Sequence, residues 1–361
     1  MKLDKRCKGL YTINITSRIS QVKCRPDIFI FSRYFLLNKY YMDNAISAQE
    51  TKLFADAVLK GLSLKKKKLP SWLIFDTRGS EIFKQITELK NYHPSRCELE
   101  ILNTHKATLS KIFSSSSSHL VELGSGDGDK TMILIEQLLS DGIELQYTPI
   151  DISKGAINNL INTLNKKFPS PKLNATGLVA DYFEGLATIS NENVRKVVLF
   201  LGVTLNNMDI PDAKAFLKKL RGTLQKDDYL LIGFDLMKNP KLLHQSYNDE
   251  LFEKFNLHLL DRINDTLGAN FDKKLFVQQG HYNPHTHAVE SFLYSTCKQT
   301  IHIEALGRSF DFAEWETMQT EQSYKYSIED IKSLALESGF NISDNFYDCK
   351  NYFVDSLWQA N

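Results

Sequence analysis

Apolar residues along this chain follow two rhythms that change from segment to segment. From Ala45 to about Leu64 they recur at helical spacing (Leu53, Phe54, Ala57, Val58, Leu62), which predicts an amphipathic helix ending at the charged run Lys65 to Lys68, before Pro70. SEIFKQITEL predicts a second helix, with Ser80 as its cap and Glu81 to Glu88 on its polar face. The serine run Ser114 to Ser118 reads as a connector between a helix ending near Phe113 and a strand from His119 to Leu123.

Strands and helices then alternate. HLVELG is followed by the helix TMILIEQLL, and QYTPIDIS by KGAINNLINTLNKKF; ATGLVADYF, KVVLFLG and YLLIGFDL supply three more strands, with AKAFLKKLRGTL between the last two. KVVLFLG and YLLIGF are nearly continuous apolar runs, as expected of parallel strands covered on both faces. The pattern predicts an α/β fold with a doubly wound sheet. After Asp235 it gives way to long helices and to the segments QTIHIEAL and RSFDFA, which suggest an antiparallel insertion. SIEDIKSLALESGF restores an amphipathic helix, and NFYDCKNYFVDSLW reads as a closing hairpin.

The 361 residues suffice for two domains or one elaborated domain. With 44 basic and 43 acidic side chains the formal charge is +1, so no global field recruits nucleic acid or an anionic membrane. Cys7, Cys24, Cys97, Cys297 and Cys349 form no C-x-x-C pair, which fits a reducing compartment and argues against a structural zinc site or a disulfide framework. No apolar run reaches the roughly 20 residues of a spanning helix. The first 41 residues carry nine Lys or Arg against two Asp; they read as an extension ahead of Met42 rather than as a targeting leader, because no clean apolar core with a cleavage site follows.

The stretch VELGSGDGDKT, Val121 to Thr131, carries the first chemical signal. A glycine turn after the first strand of an open α/β sheet lets a ligand touch backbone, and Gly124, Gly126 and Gly128 provide one. A dinucleotide would bring a diphosphate to this helix start. Asp127 and Asp129 in the turn and Glu122 just before it oppose an anion, so a cationic or neutral ligand fits better. S-adenosylmethionine is such a ligand: a sulfonium without phosphate, whose carboxylate can use Lys130 or backbone donors. Asp151, at the end of the second strand, is placed for the ribose hydroxyls. Asp181 and Tyr182 follow the third, where an acid can take the adenine amino group and an aromatic can stack on the ring.

In FDTRGSEIFKQITELKNYHPSR, VELGSGDGDKT, PIDIS, FLGVTLNN, LLHQSYND and TEQSYKY, in that order from about Leu69 onward, the chain resembles the histidine-specific S-adenosylmethionine-dependent methyltransferases. The best-known activity of that family is the formation of hercynine for ergothioneine biosynthesis. The resemblance implies a Rossmann-like class I methyltransferase sheet with an inserted α+β substrate-binding domain. The corresponding division is a basic extension (residues 1–43), N-terminal helices of the substrate domain (44–95), the donor-binding domain (96–237), the insertion (238–324) and a closing helix and hairpin (325–361). It also implies donor binding by Gly124, Lys130, Asp151, Asp181 and Tyr182, and substrate binding by Tyr92, Asn207, Tyr247, Glu321, Gln322 and Ser323, with Tyr92 and Asn207 nearest the chemistry.

Those residue types suit the reaction. Methyl transfer is an in-line displacement, so the enzyme's main work is to hold a neutral amine about 3 to 3.5 Å from the methyl carbon. Asn207 and Tyr92 can hold the amine, Tyr247 can donate to a carboxylate, and Glu321 with Ser323 can take the two ring nitrogens of an imidazole. Tyr92 and Phe75 can face a quaternary product cation. Phe75 stands where the family has tyrosine and Ser291 where it has methionine, so these two bear on substrate identity and on the number of methyl groups added; Asn206 stands where the family usually has glycine and can stiffen or redirect its turn. His281, His285 and His287 have metal-like spacing in a polar loop, but methyl transfer needs no metal and none is expected. The leading expectation is a cytoplasmic, monomeric amino-acid α-N-methyltransferase with L-histidine as substrate and neither nucleic acid nor membrane as partner. The same chemistry on another amino acid or a histidine derivative, or a donor-binding protein without turnover, are the alternatives.

Overall fold

The computed structural model describes residues 48–114, 118–169, 171–189 and 194–361; the basic N-terminal stretch and most of the serine connector lie outside them. The chain begins with α1 (Ala48–Leu62), β1 (Lys67–Lys68), a 3-10 turn (Ser71–Ile74), α2 (Thr77–Glu88) and α3 (His93–Phe113). The alternating region follows: β2 (Ser118–Leu123), α4 (Asp129–Ser140), β3 (Leu145–Asp151), α5 (Lys154–Lys167), β4 (Leu173–Ala175), β5 (Leu178–Val179), α6 (Tyr182–Thr188), β6 (Arg195–Phe200), α7 (Ile210–Arg221) and β7 (Tyr229–Asp235). The remainder comprises α8 (Pro240–Ser246), α9 (Glu250–Leu267), β8 (Phe276–Asn283), β9 (Ala288–Ser295), β10 (Gln299–Ile303), β11 (Arg308–Phe312), β12 (Thr317–Tyr324), α10 (Ile328–Ser338), β13 (Phe340–Tyr347) and β14 (Phe353–Ala360).

The main sheet runs β13-β14-β7-β6-β2-β3-β4, with β5 also pairing β3. Strands β2 to β7 are mutually parallel, whereas the terminal hairpin β13-β14 adds antiparallel to β7. From β2 the chain first adds β3 on one side and later β6 on the other, so the strand order reverses there. In such sheets the crevice for a ligand opens beyond the carboxyl ends at the reversal. The apolar runs that predicted two-sided burial are buried: Val197, Val198, Leu199, Leu230, Leu231 and Ile232 lie between helices on both faces.

A second sheet, β1-β12-β9-β8, joins both ends of the sequence: β1 pairs in parallel with β12, and β12 and β8 pair antiparallel with β9. Its core unites α1, the 3-10 turn and α2 with α9, through Phe54, Val58, Leu73, Phe255, Leu259 and Met318. In α9, Phe252, Phe255, Asn256, Leu259 and Ile263 keep one buried face at three- and four-residue steps. Asp249 caps its start and Gly268, at φ 64°, closes it in the left-handed region. Each large apolar side chain buried here contributes roughly 1.5–3 kcal/mol. β10 and β11 form a separate antiparallel ribbon, as the alternation of QTIHIEAL and RSFDFA predicts.

Two local expectations are corrected. The cap of α2 is Asp76, not Ser80: its Oδ1 accepts the Gly79 N–H at 2.7 Å, which starts the helix at Thr77. ATGLVADYF is not one strand but two short ones, and Asp181 and Tyr182 open α6. Gly177 breaks the run, because a Cβ there would lie 2.3 Å from Ile157, and Asp181 Oδ1 accepts the N–H groups of Phe183 (2.7 Å) and Glu184 (3.0 Å). Among the described residues no helix is long and apolar enough to cross a membrane.

Candidate functional site

The glycine turn after β2 adopts a backbone that side chains resist. Gly124, Gly126 and Gly128 have φ of 75°, 57° and 74°, and a Cβ on Gly128 would lie 2.3 Å from Leu160 Cδ1. The Gly124 N–H donates to Ile150 O at 2.9 Å, which holds the turn against the end of β3. Carboxylates gather around it. Glu122 is buried beneath, accepting from Thr131 Oγ1 and the Tyr147 hydroxyl. Asp151 is buried, with Oδ1 accepting from Ser153 N–H at 3.0 Å and Oδ2 from Gly126 N–H at 3.5 Å. Such a crevice opposes a diphosphate and accepts hydroxyls and a cation, so the residues present fit a sulfonium donor with a ribose.

The other donor-site candidates are more heavily engaged than their sequence suggests. Lys130 is ion-paired with Glu98, itself fully buried and accepting the Gly202 N–H at 2.6 Å; only a quarter of the lysine side chain is exposed. Asp355 lies against the same pair, and burial, with Glu98 next, drives its carboxyl far above the usual range. Asp181 spends one oxygen on the cap of α6 and is half-buried. Tyr182 is buried and packs its ring at steep angles against Phe200 at 6.1 Å and Phe216 at 6.5 Å, so the ring is turned toward the core.

The substrate candidates converge from four segments. Tyr92 at the start of α3 and Tyr247 after α8 meet with ring centroids 6.2 Å apart, and both pack on Phe252. Phe83 connects Tyr92 (6.1 Å) to Phe75 (5.4 Å), forming a continuous aromatic wall with Phe255. Burial first, then the neighbouring Tyr247, Asp235 and Glu321, raise the Tyr92 hydroxyl well above its usual range. The phenol therefore stays protonated and acts through hydrogen bonds, not as a base. Asn207 lies in a 3-10 turn (Leu205–Asn207) and is half-buried. Its neighbour Asn206 fixes that turn: fully buried, its Nδ2 donates to Tyr324 O at 2.7 Å and Asp235 O at 3.4 Å.

On β12 the two-residue period sorts the motif TEQSYKY. Glu321 and Ser323 share one face with the buried Lys325. The amide of Asn256, on α9, donates to Glu321 Oε2 at 3.1 Å, and burial raises this carboxyl to about 7 against the opposing pull of Asn256 and Lys325. Gln322 faces the other way, donating to Asp209 Oδ1 at 2.6 Å and accepting from Lys68 Nζ at 2.8 Å. The strand pleat thus separates it from its two neighbours. Ser291 is the cross-strand neighbour of Glu321, buried, with a hydroxyl that lacks a hydrogen-bond partner among the described residues.

Sequence reading passed over Lys325, Asp235, Asn256 and Glu98. A period-two count from Glu321 reaches Lys325, and Asp235 ends β7, where functional acids gather in parallel sheets; the other two have no such signal. The three histidines of HYNPHTH do not converge on one point. Among the described residues only Glu100, Asp348 and Cys349 bring three ligand-type atoms within 4.8 Å of one another.

Comparison with known proteins identifies the family. Residues 54–360 match the family described as histidine-specific methyltransferase, SAM-dependent. A histidine N-alpha-methyltransferase of Mycolicibacterium smegmatis is 32% identical over 284 residues, spanning 78% of this chain and 87% of that protein. Ergothioneine biosynthesis protein 1 of Neurospora crassa is 30% identical over 76% of this chain and 31% of its own length. A 4-dimethylallyltryptophan N-methyltransferase of Claviceps purpurea is 24% identical, covering 79% and 88% of the two chains. The chain therefore belongs to the family of histidine-specific, S-adenosylmethionine-dependent methyltransferases.

Proposed function

We propose that this enzyme transfers methyl groups from S-adenosylmethionine to the α-amino nitrogen of L-histidine, with trimethylhistidine (hercynine) as the end product of three transfers. The observation that carries the substrate assignment is the pair Glu321 and Ser323 on one face of β12, with Asn256 holding the Glu321 carboxyl in place. An imidazole has one N–H and one bare nitrogen; a carboxylate and a hydroxyl match them, and a side chain without both leaves a buried polar group unpaired. The relatives that act on histidine support the same reading.

The bound donor supplies an electrophilic methyl carbon on a positively charged sulfur. The chain's own groups do the positioning. Asn207 Oδ1 and the Tyr92 hydroxyl accept the hydrogens the neutral amine still carries, leaving its lone pair to form the new N–C bond as the S–C bond breaks; the first two transfers then lose a proton to solvent, and the third leaves a quaternary ammonium with none to lose. The wall of Tyr92, Phe83 and Phe75 takes the growing ammonium through cation–π attraction worth roughly 0.5–2 kcal/mol. Gly124, Lys130, Asp151, Asp181 and Tyr182 are assigned to the donor. Residues 44–95 and 238–324 are assigned to the substrate half, a division supported by the shared core and the pairing of β1 with β12.

A second reading, the same chemistry on another amino acid, is favoured by one observation: Ser291 places a small side chain with a free hydroxyl beside Glu321. Mass spectrometry of purified enzyme with the methyl donor and a panel of free amino acids distinguishes the two. Three added methyl groups on histidine are expected; turnover of a different amino acid with none on histidine selects the second reading.

A further inference from the structure

Beneath the two hydroxyls assigned to the substrate lies Lys325, a residue of TEQSYKY to which the sequence assigned no role. Lys325 Nζ is 2.9 Å from the Tyr247 hydroxyl oxygen, 2.7 Å from Ser323 Oγ and 2.9 Å from Asp235 Oδ2, and its side chain is closed off from solvent. An ammonium carries three N–H donors and no acceptor, so these contacts use all three. Both hydroxyl oxygens therefore accept from the lysine; Ser323 and Tyr247 also hydrogen-bond to each other, so one hydroxyl hydrogen is shared between them until a ligand draws both outward.

The charge of the cluster points the same way. Asp235 is also paired with the buried Lys238, so two lysines share one aspartate and the group carries one net positive charge (two minus one). Lys238 Nζ also donates to Leu236 O at 2.8 Å. A buried charge without a counter-ion is costly. Glu321 is the next carboxyl, but burial keeps it protonated for much of the time near neutral pH. An incoming carboxylate beside Tyr247 would complete the set.

We infer that Lys325 is a positioning residue that turns the Tyr247 and Ser323 hydroxyls into donors facing the substrate and makes the site select ligands that carry a free α-carboxylate. The inference rests on the proposed amino-acid substrate and adds the element that reads its acid group. Through Ser323 the same lysine presents a donor to the bare ring nitrogen, leaving the ring N–H for Glu321. The site then takes the imidazole in its neutral form.

The test compares histidine with histidinamide, which keeps the amine and the ring but not the charged carboxylate, in the wild type and in Lys325→Met. The wild type is expected to prefer histidine. In Lys325→Met, kcat/KM for both substrates should fall through the loss of the Ser323 donor to the ring they share, and that for histidine should fall roughly 10-fold further, mainly through KM, so the preference collapses. An equal fall for both substrates would show a merely structural lysine and overturn the inference. Tyr247→Phe, which keeps the Lys325–Asp235 pair, covers the case in which Lys325→Met fails to bind S-adenosylhomocysteine. It should show the same collapse, and retention of the preference would again overturn the inference. In a double-mutant cycle, Lys325→Met combined with Tyr247→Phe should cost little more than either alone. If the wild type methylates another amino acid instead of histidine, the substrate reading fails, and that amino acid and its amide form the test pair with the same expected collapse.

Discussion

Glu321 has a carboxyl that burial raises to about 7 from an ordinary 4.5. Its folded pKa exceeds its unfolded one, so the native state holds the proton more tightly. Its contribution to stability is present below about pH 4.5 and is lost as the pH rises toward about 7. Glu321→Gln should therefore stabilise the ligand-free protein at pH 8, by at most about 3 kcal/mol, and leave it nearly unchanged at pH 4, as thermal unfolding at the two pH values would show. An equal gain at both would contradict the assigned titration. Recognition runs the other way. The ionised carboxyl accepts the ring N–H, so the ratio of histidine affinity in wild type to that in Glu321→Gln should decline as the pH falls through about 7, measured by calorimetry on the complex with S-adenosylhomocysteine. At this scale Glu321 and Ser323 were legible through the resemblance of TEQSYKY to the family's motif, and the strand period of two then sets them on one face. The sequence could not show the Lys325–Asp235 pair, which forms only where the segments leaving β12 and β7 meet at the Tyr326–Leu236 bridge, nor that Tyr182 turns inward.

In the proposed site, the glycine turn between β2 and α4 and the 3-10 turn carrying Asn207 are the two elements assigned to set the reacting geometry. Gly128→Ala adds a methyl group 2.3 Å from Leu160 at a positive φ, so it should destabilise the protein by about 1–3 kcal/mol and weaken S-adenosylhomocysteine binding; denaturant unfolding and calorimetry check both. Asn206→Ala removes the bonds to Tyr324 O and Asp235 O that anchor the second turn. It should cost about 1–3 kcal/mol of stability and lower kcat for histidine while sparing donor affinity, since the donor crevice lies beyond β2 and β3. The order of strands and helices was readable because parallel strands covered on both faces give unbroken apolar runs. ATGLVADYF misled because its break depends on contact between Gly177 and Ile157 of α5, a feature of packing rather than of propensity.

At the level of the whole molecule, the near balance of 44 basic and 43 acidic groups leaves substrate capture to the local charges of the pocket. Raising salt from about 0.05 to 0.5 M should change kcat/KM for histidine less than about threefold, because the buried cluster of Lys325, Lys238 and Asp235 is poorly screened; a steep salt dependence would mean long-range steering. The chain closes its substrate half by bringing α1 and β1 from one end against β9, β12 and α9 from near the other. Sequence order hints at that closure only through the late antiparallel segments, and the pairing of Lys67 with Met318 has no local signature. What this architecture is proposed to achieve is delivery of one nitrogen of histidine, and not its ring, to a methyl carbon above β2. The most direct test is nuclear magnetic resonance of the product formed with a donor labelled at its methyl carbon. The account predicts three equivalent labelled methyl groups on the α-nitrogen; label on a ring nitrogen, or none on histidine from an enzyme that still binds S-adenosylhomocysteine, would contradict it.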